Sequence, residues 1–392
     1  MIHCDFIVVG AGIAGASIAA ELAEHARVVL LERESEPGYH STGRSAALFS
    51  EIYGNETIRA LSRASRAFLF HPPAGFSDSE LVRPRGSLFI ANEGQLDRLQ
   101  AFAANSDIAP ATVMLSVAEA QGVCSALRSD YVAGALHEPG SVDMEVHGLH
   151  QGYLRRFRHH GGIARTNAEM LSADWHDGRW RVRVGAEEIE AGMLVNAAGA
   201  WASEVAIRSG VPGIDLQACR RTAALVDPPQ GSRIDDWPLV IDIDEKFYVK
   251  PDAGMLLLSP ADETAIGPCD AYPEELDIAI AVDRIQAALA LDVRRIKHSW
   301  AGLRTFAADR TPVVGPDPAN PGFFWLAGQG GYGIQTAPAL ARTAAAIALG
   351  QPIPSDIQDC GVVEADMSPA RSAVAQSSQQ KSAQGAYRNA AS

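Results

Sequence analysis

Six residues near the start of the chain constrain it more than any others: Gly10-Ala11-Gly12-Ile13-Ala14-Gly15. A short continuous apolar run over 6–9 precedes them, as suits a buried parallel strand. An Ala-rich stretch over 16–25, with apolar spacing of three and four, follows as a helix. A second apolar run over 28–31 ends at Glu32, 22 residues after Gly10. The glycines therefore sit where the first strand of a β-α-β unit meets its helix. Gly10 permits the tight turn, Gly12 lets backbone approach a pyrophosphate, and Gly15 lets the helix pack close to the strand. The helix N-terminus offers free N–H groups to phosphates. Glu32 can accept hydrogen bonds from a ribose diol, and its charge would repel a 2′-phosphate. In this context the motif reads as a dinucleotide fingerprint. The bland alternative is a Gly-rich turn in an unrelated α/β fold.

Helical and extended segments then alternate along the chain. Helices are expected over 56–69, 94–105, 117–124 and 145–160. A strand is expected over 86–90, a hairpin over 180–184 and 187–190, and a buried strand over 194–196. Residues 222–258 are strand-rich, 323–327 is another buried strand, and 336–349 is an Ala-rich helix. Two of the buried strands run into further Gly-rich turns, Ala197-Ala198-Gly199-Ala200-Trp201 and Gly328-Gln329-Gly330-Gly331-Tyr332-Gly333, the last about 320 residues from the first. A helix N-terminus beside a flavin ring would stabilise negative charge in the reduced form. A site built from both chain ends fits FAD better than NAD.

Composition narrows the partners. A net charge of −14 argues against a nucleic-acid binder. No apolar run reaches the ~18 residues of a membrane span. The first apolar stretch follows Asp5 and runs into the glycine turn, so no secretory leader is expected. Five cysteines, with no C-x-x-C pair, make disulfides and a metal site unexpected. They suggest a reducing, cytoplasmic setting, with peripheral association at the inner membrane as the alternative. His147 and His150 share a helix face and read as surface or packing residues.

Several segments resemble a known family. They are Gly10 to Gly15 with Glu32-Arg33, Pro37-Gly38-Tyr39-His40-Ser41-Thr42-Gly43-Arg44-Ser45-Ala46-Ala47, and Leu194 to Trp201, followed by Phe247 to Gly254, Trp300-Ala301-Gly302-Leu303-Arg304 and Gln329 to Thr336. Together they are similar to the FAD-dependent amine and D-amino acid oxidoreductases, most of all to the bacterial catabolic D-arginine dehydrogenases. The resemblance implies that Gly10, Gly12, Ala14 and Gly15 with Glu32 and Arg33 hold the ADP-ribose side. It implies that Ser41, Thr42, Gly43, Arg44, Ser45, Ala46, Ala47 and Leu48 run past the pyrophosphate, ribityl chain and flavin ring. Met170 would touch the adenine and Gly199 would join the cofactor site, while Gly330, Gly331, Tyr332, Gly333, Ile334, Gln335 and Thr336 would border the flavin. Arg304 would clamp a substrate carboxylate, assisted by Arg221 and Tyr248, with Tyr53 at the pocket mouth and Gly331 accepting from the substrate amine. Arg221 has Arg220 beside it, and strand alternation turns only one of them towards the site.

Two positions depart from the arginine-specific pattern: Leu48 replaces a histidine and Ser87 replaces a glutamate. A buried cation without a carboxylate partner is costly. The pocket is therefore expected to favour neutral D-amino acids over D-arginine, unless Arg83 or Arg85 turns inward to select an acidic side chain.

The expected fold is α/β, with a Rossmann-like FAD-binding domain from 1–85, 142–215 and 300–366. A substrate domain with a mixed or antiparallel sheet comes from 86–141 and 216–299, and 367–392 form a flexible tail. The expected reaction is oxidation of the Cα–N bond of a D-amino acid, with noncovalent FAD and an electron acceptor left open. Alternatives are a flavin-dependent 2-hydroxy acid dehydrogenase, a secondary-amine oxidase, and a flavin-binding scaffold without activity.

Overall fold

The computed structural model describes residues 2–371 and 374. The strand Ile2–Val9 is the centre of an eight-stranded sheet. Its neighbours, Val28–Leu31 and Glu187–Asn196, both run parallel to it. Ile163–Arg165 extends the parallel set on one side and Phe323–Ala327 on the other. Such strands are covered on both faces and carry continuous apolar runs; Ile7 and Val8 are both fully buried. One face packs on the helices Ile13–Ala23, Val146–His159 and Gly333–Ala348. The hairpin Arg179–Val184 with Glu187–Asn196 continues directly into the buried strand, so the two expected strands are one.

A second, nine-stranded sheet is mostly antiparallel, with one parallel pair, Leu239–Asp242 beside Ser87–Ala91. It is the mixed sheet expected. Its longest pairing joins Leu216–Val226 to Ile296–Ala307, with Arg221 opposite Gly302 and Cys219 opposite Arg304. No strand was expected over 296–307 from the sequence, because Lys297, His298, Gly302 and Arg304 interrupt its apolar residues. Arg304 and Gly302 face a cavity instead of a packed core. Residues 300–307, expected with the FAD-binding part, extend this second sheet, so the border between the sheets falls after Ala307.

The helix expected over 336–349 starts earlier, as Gly333–Ala348. A helix at Glu275–Ala288 was not expected. Of the expected tail, Met367 is fully buried and Arg371 bridges Asp309 at 2.7 Å; apart from buried Val374, residues beyond 371 lie outside the described residues. No described helix is long and apolar enough to cross a membrane.

Candidate active site

At the end of Ile2–Val9 the chain turns with Gly10 at φ +101°. A Cβ on Gly15 would stand 1.7 Å from the Gly10 carbonyl oxygen. Only glycine lets strand and helix meet there, as the spacing implied. Glu32 folds back under the turn: its Oε2 accepts the Ala11 amide at 2.8 Å and its Oε1 the Glu34 amide at 3.0 Å. Thr42 Oγ1 accepts the Ile13 amide at 2.9 Å, tying the 38–47 loop to the helix start. His150, expected only as a surface or packing residue, is buried with Nε2 2.8 Å from the Ala11 carbonyl, so it braces the turn from behind. Burial lowers its pKa.

A long cavity begins here. Gly10, Gly12, Ala14, Glu32, Arg33, Ser41, Thr42, Arg44, Ser45, Ala46, Met170 and Gly199 line it, and it ends at Gly330, Gly331, Gly333 and Ile334. The Arg33 guanidinium lies 4.2 Å over the Trp201 ring. The loop wall is pinned to the Ile296–Ala307 strand. Ser41 Oγ donates to the Leu303 carbonyl at 2.7 Å, Trp300 Nε1 donates to the Arg44 carbonyl at 3.0 Å, and Arg44 bridges Asp270. Four residues expected at the cofactor line no cavity wall. Gly15 and Gly43 are packing positions, a Cβ on the latter falling 2.8 Å from the Gly38 carbonyl oxygen. Tyr332 packs its ring 4.8 Å from Tyr53, and Thr336 Oγ1 caps the Tyr332 carbonyl at 2.9 Å.

A second cavity opens off the first, and Arg304, Tyr248 and Gly331 line both. Its walls include Ala47, Leu48, Tyr53, Phe89, Leu239 and Ile241, and it reaches Ser50, Ser87 and Gln335. Arg304 is bonded to the Tyr53 hydroxyl at 3.4 Å and, among the described residues, has no carboxylate in ion-pair range. A Cβ on Gly331 would lie 2.7 Å from its Nη1, so only glycine leaves the guanidinium in place. Burial pushes the Tyr53 hydroxyl pKa well above its ordinary value. Arg221 lines the first cavity and bonds Glu263 at 3.0 Å. Alternation holds, but Arg220 is buried too, on the opposite face, against Asp277 at 2.8 Å and Glu274.

Two sequence expectations are corrected. Arg83 is exposed and Arg85 bonds Asp143 at 2.6 Å; neither lines the cavities, so neither selects an acidic side chain. The region of Ser87 does hold a carboxyl group. Ser87 Oγ donates to Glu138 Oε2 at 2.9 Å. Sequence reasoning missed Glu138 because only strand register brings it there, Ser87 standing opposite Glu138.

The residues present suit FAD: a glycine cradle with a helix N-terminus and an acidic partner at one end, and a second helix N-terminus about 320 residues on at the other. The family model of FAD dependent oxidoreductases (DAO) matches residues 5–347. This chain is a FAD-dependent oxidoreductase of that family. Among other members, it is 25% identical over 411 residues to FAD-dependent oxidoreductase domain-containing protein 1 of Xenopus laevis, covering 88% of this chain and 78% of that one. It is 24% identical over 372 residues to glycine oxidase of Bacillus licheniformis, covering 90% and 95%. In fold, this family member matches the L-alpha-glycerophosphate oxidase of Mycoplasma pneumoniae with FAD bound, at a TM-score of 0.80 and 18% identity, over 89% of this chain and 95% of that one. Its cofactor is FAD.

Proposed function

We propose that this enzyme oxidises the Cα–N bond of D-amino acids to imino acids, which water hydrolyses to 2-oxo acids and ammonia. The observation that carries the reading is Arg304, a guanidinium turned into the junction of two cavities with a hydroxyl, and no carboxylate, as its partner. A planar guanidinium binds a carboxylate through two parallel hydrogen bonds. Tyr53 and Tyr248 flank it, and Gly331 stands beside it with a carbonyl to receive the substrate amine. FAD, when bound, supplies the acceptor for the hydride that leaves Cα.

The choice between amine and alcohol rests on the second cavity. Its ionisable lining residues are Tyr53, Tyr248 and Arg304, and burial disfavours ionisation of Tyr53. Oxidising a hydroxy acid requires a base for the hydroxyl proton. A neutral amine needs none, because its own lone pair supports the positive charge as hydride departs. Holding the carboxylate and amine then fixes Cα in place, and such positioning supplies much of the rate. The apolar walls of the side-chain cavity, with Leu48, Phe89, Leu239 and Ile241 among them, support an uncharged substrate side chain. Similarity to glycine oxidase supports an amino-acid substrate.

The test is anaerobic flavin bleaching with matched D- and L-amino acids, followed by ammonia assay. Bleaching by D-isomers with stoichiometric ammonia is expected. Bleaching by L-isomers alone, or by hydroxy acids without ammonia, would overturn the reading.

A further inference from the structure

The proposed reaction leaves one buried carboxyl group unused. Glu138 ends the strand Gly134–Glu138 and is 2% exposed. Ser50 Oγ and Ser87 Oγ donate to its Oε2 at 2.8 and 2.9 Å, and the Glu51 amide donates to its Oε1 at 3.0 Å. Ser50 and Ser87 line the far end of the second cavity, and Glu138 stands behind them. Its charged neighbour is Glu51, whose carboxylate is turned towards Arg66 at 3.1 Å. The helix Gly333–Ala348 contributes the uncharged Gln335, which accepts the Ser50 amide at 3.2 Å. Leu239 and Ile241 face the same cavity from the neighbouring strand, and Arg304 lines its other end.

An ionised carboxylate only accepts hydrogen bonds, and a serine hydroxyl has one proton to give. Each hydroxyl here spends that proton on Glu138 and turns lone pairs towards the cavity. The Ser50 oxygen also faces the Ile52 amide at 3.4 Å, so Ser87 is the freer acceptor. We propose that Glu138 is a specificity-determining residue, which fixes the Ser87 and Ser50 hydroxyls as acceptors and so selects amino acids whose side chain ends in an N–H donor. This rests on the amino-acid reading above. The side-chain amide of an asparagine-like substrate is the neutral form of such a donor, and the rest of it meets apolar walls.

Burial lifts the Glu138 carboxyl to about 7. Below that pH its own O–H donates to one hydroxyl, whose proton then turns towards the cavity, and an acceptor becomes a donor. Preference for a donor side chain therefore rises with pH through about 7. The amine of asparagine is more acidic than that of leucine, so each kcat/KM is referred to the neutral-amine concentration, calculated from that amino acid's own titration, before the ratio is taken.

The experiment measures kcat/KM of the holoenzyme for D-asparagine and D-leucine, which share a branched shape, from pH 5.5 to 8.5. Wild type, Glu138→Gln and Ser87→Ala are compared, with flavin content reporting folding. One neutral hydrogen bond corresponds to about fivefold, so the D-asparagine to D-leucine ratio should rise about fivefold with pH. It should be lower and flat in both variants. An infrared pH titration of the holoenzyme should show a protonated carboxyl band near neutrality that Glu138→Gln removes. A ratio indifferent to pH and to both variants, or no such band, overturns the role of Glu138 alone. A holoenzyme whose flavin no D-amino acid bleaches overturns the functional reading and this selectivity with it.

Discussion

A guanidinium turned into a cavity needs a counter-charge, and at Arg304 the described residues offer the Tyr53 hydroxyl instead. A substrate carboxylate supplies what is missing. Replacing Arg304 with Met keeps a similar stem and removes both donors. A hydrogen bond to a charged group is worth about 1.5–3 kcal/mol, so kcat/KM should fall at least ~10-fold. Flavin content should stay near wild type, because Arg304 meets the cofactor cavity only where it joins the second one. Steady-state kinetics and the flavin-to-protein absorbance ratio check both halves; equal loss of flavin and activity would make Arg304 a structural residue. Glu138 works differently, through two hydroxyls.

At the scale of elements, the contact between the first strand and its helix has no room to spare. An added Cβ at Gly15 would meet the Gly10 carbonyl oxygen at 1.7 Å, and backbone cannot step aside as a side chain can. Gly15→Ala should force the helix Ile13–Ala23 off the strand, cost about 1–3 kcal/mol or more, and yield protein depleted in flavin. Thermal melting and flavin absorbance of the purified variant measure this; a fully yellow, equally stable variant would refute it. This turn was legible in the sequence because its determinants are local, with strand, glycines and acid all between residues 6 and 32. His150 was not, since its bond to the Ala11 carbonyl spans 139 residues and depends on how a separate helix packs. Glu138 was illegible for the same reason: register between two strands, 51 residues apart in sequence, puts it beside Ser87. The strand bearing Arg304 escaped a pattern reading because Arg304 faces a cavity, whereas alternation assumes that polar means solvent, and because exposed Lys297 and His298 break the apolar run at its start. The motif around Arg304 was recognisable only by resemblance.

At the scale of the molecule, the cavity that would hold FAD runs between two sheets and two helix N-termini, and nothing in its lining calls for a covalent link. No cysteine lines either cavity. His40 does line the first, but its Nε2 is 2.9 Å from Glu34 and its ring lies 4.5 Å from Trp201, on the Arg33 side of the cavity. Acid precipitation of the holoenzyme should therefore release a yellow supernatant, and colour retained in the pellet would show a bond to the protein. The central sheet also carries a consequence for how the enzyme is made. Phe323–Ala327 lies beside Glu187–Asn196, next to the first strand, and the helix from Gly333 closes the far end of the cavity. A ribosome adds roughly 5–20 residues per second, so the glycine turn emerges tens of seconds before its distant counterpart. Until then the nascent chain holds half a binding site, and flavin capture waits on the strand and helix that begin about 320 residues later.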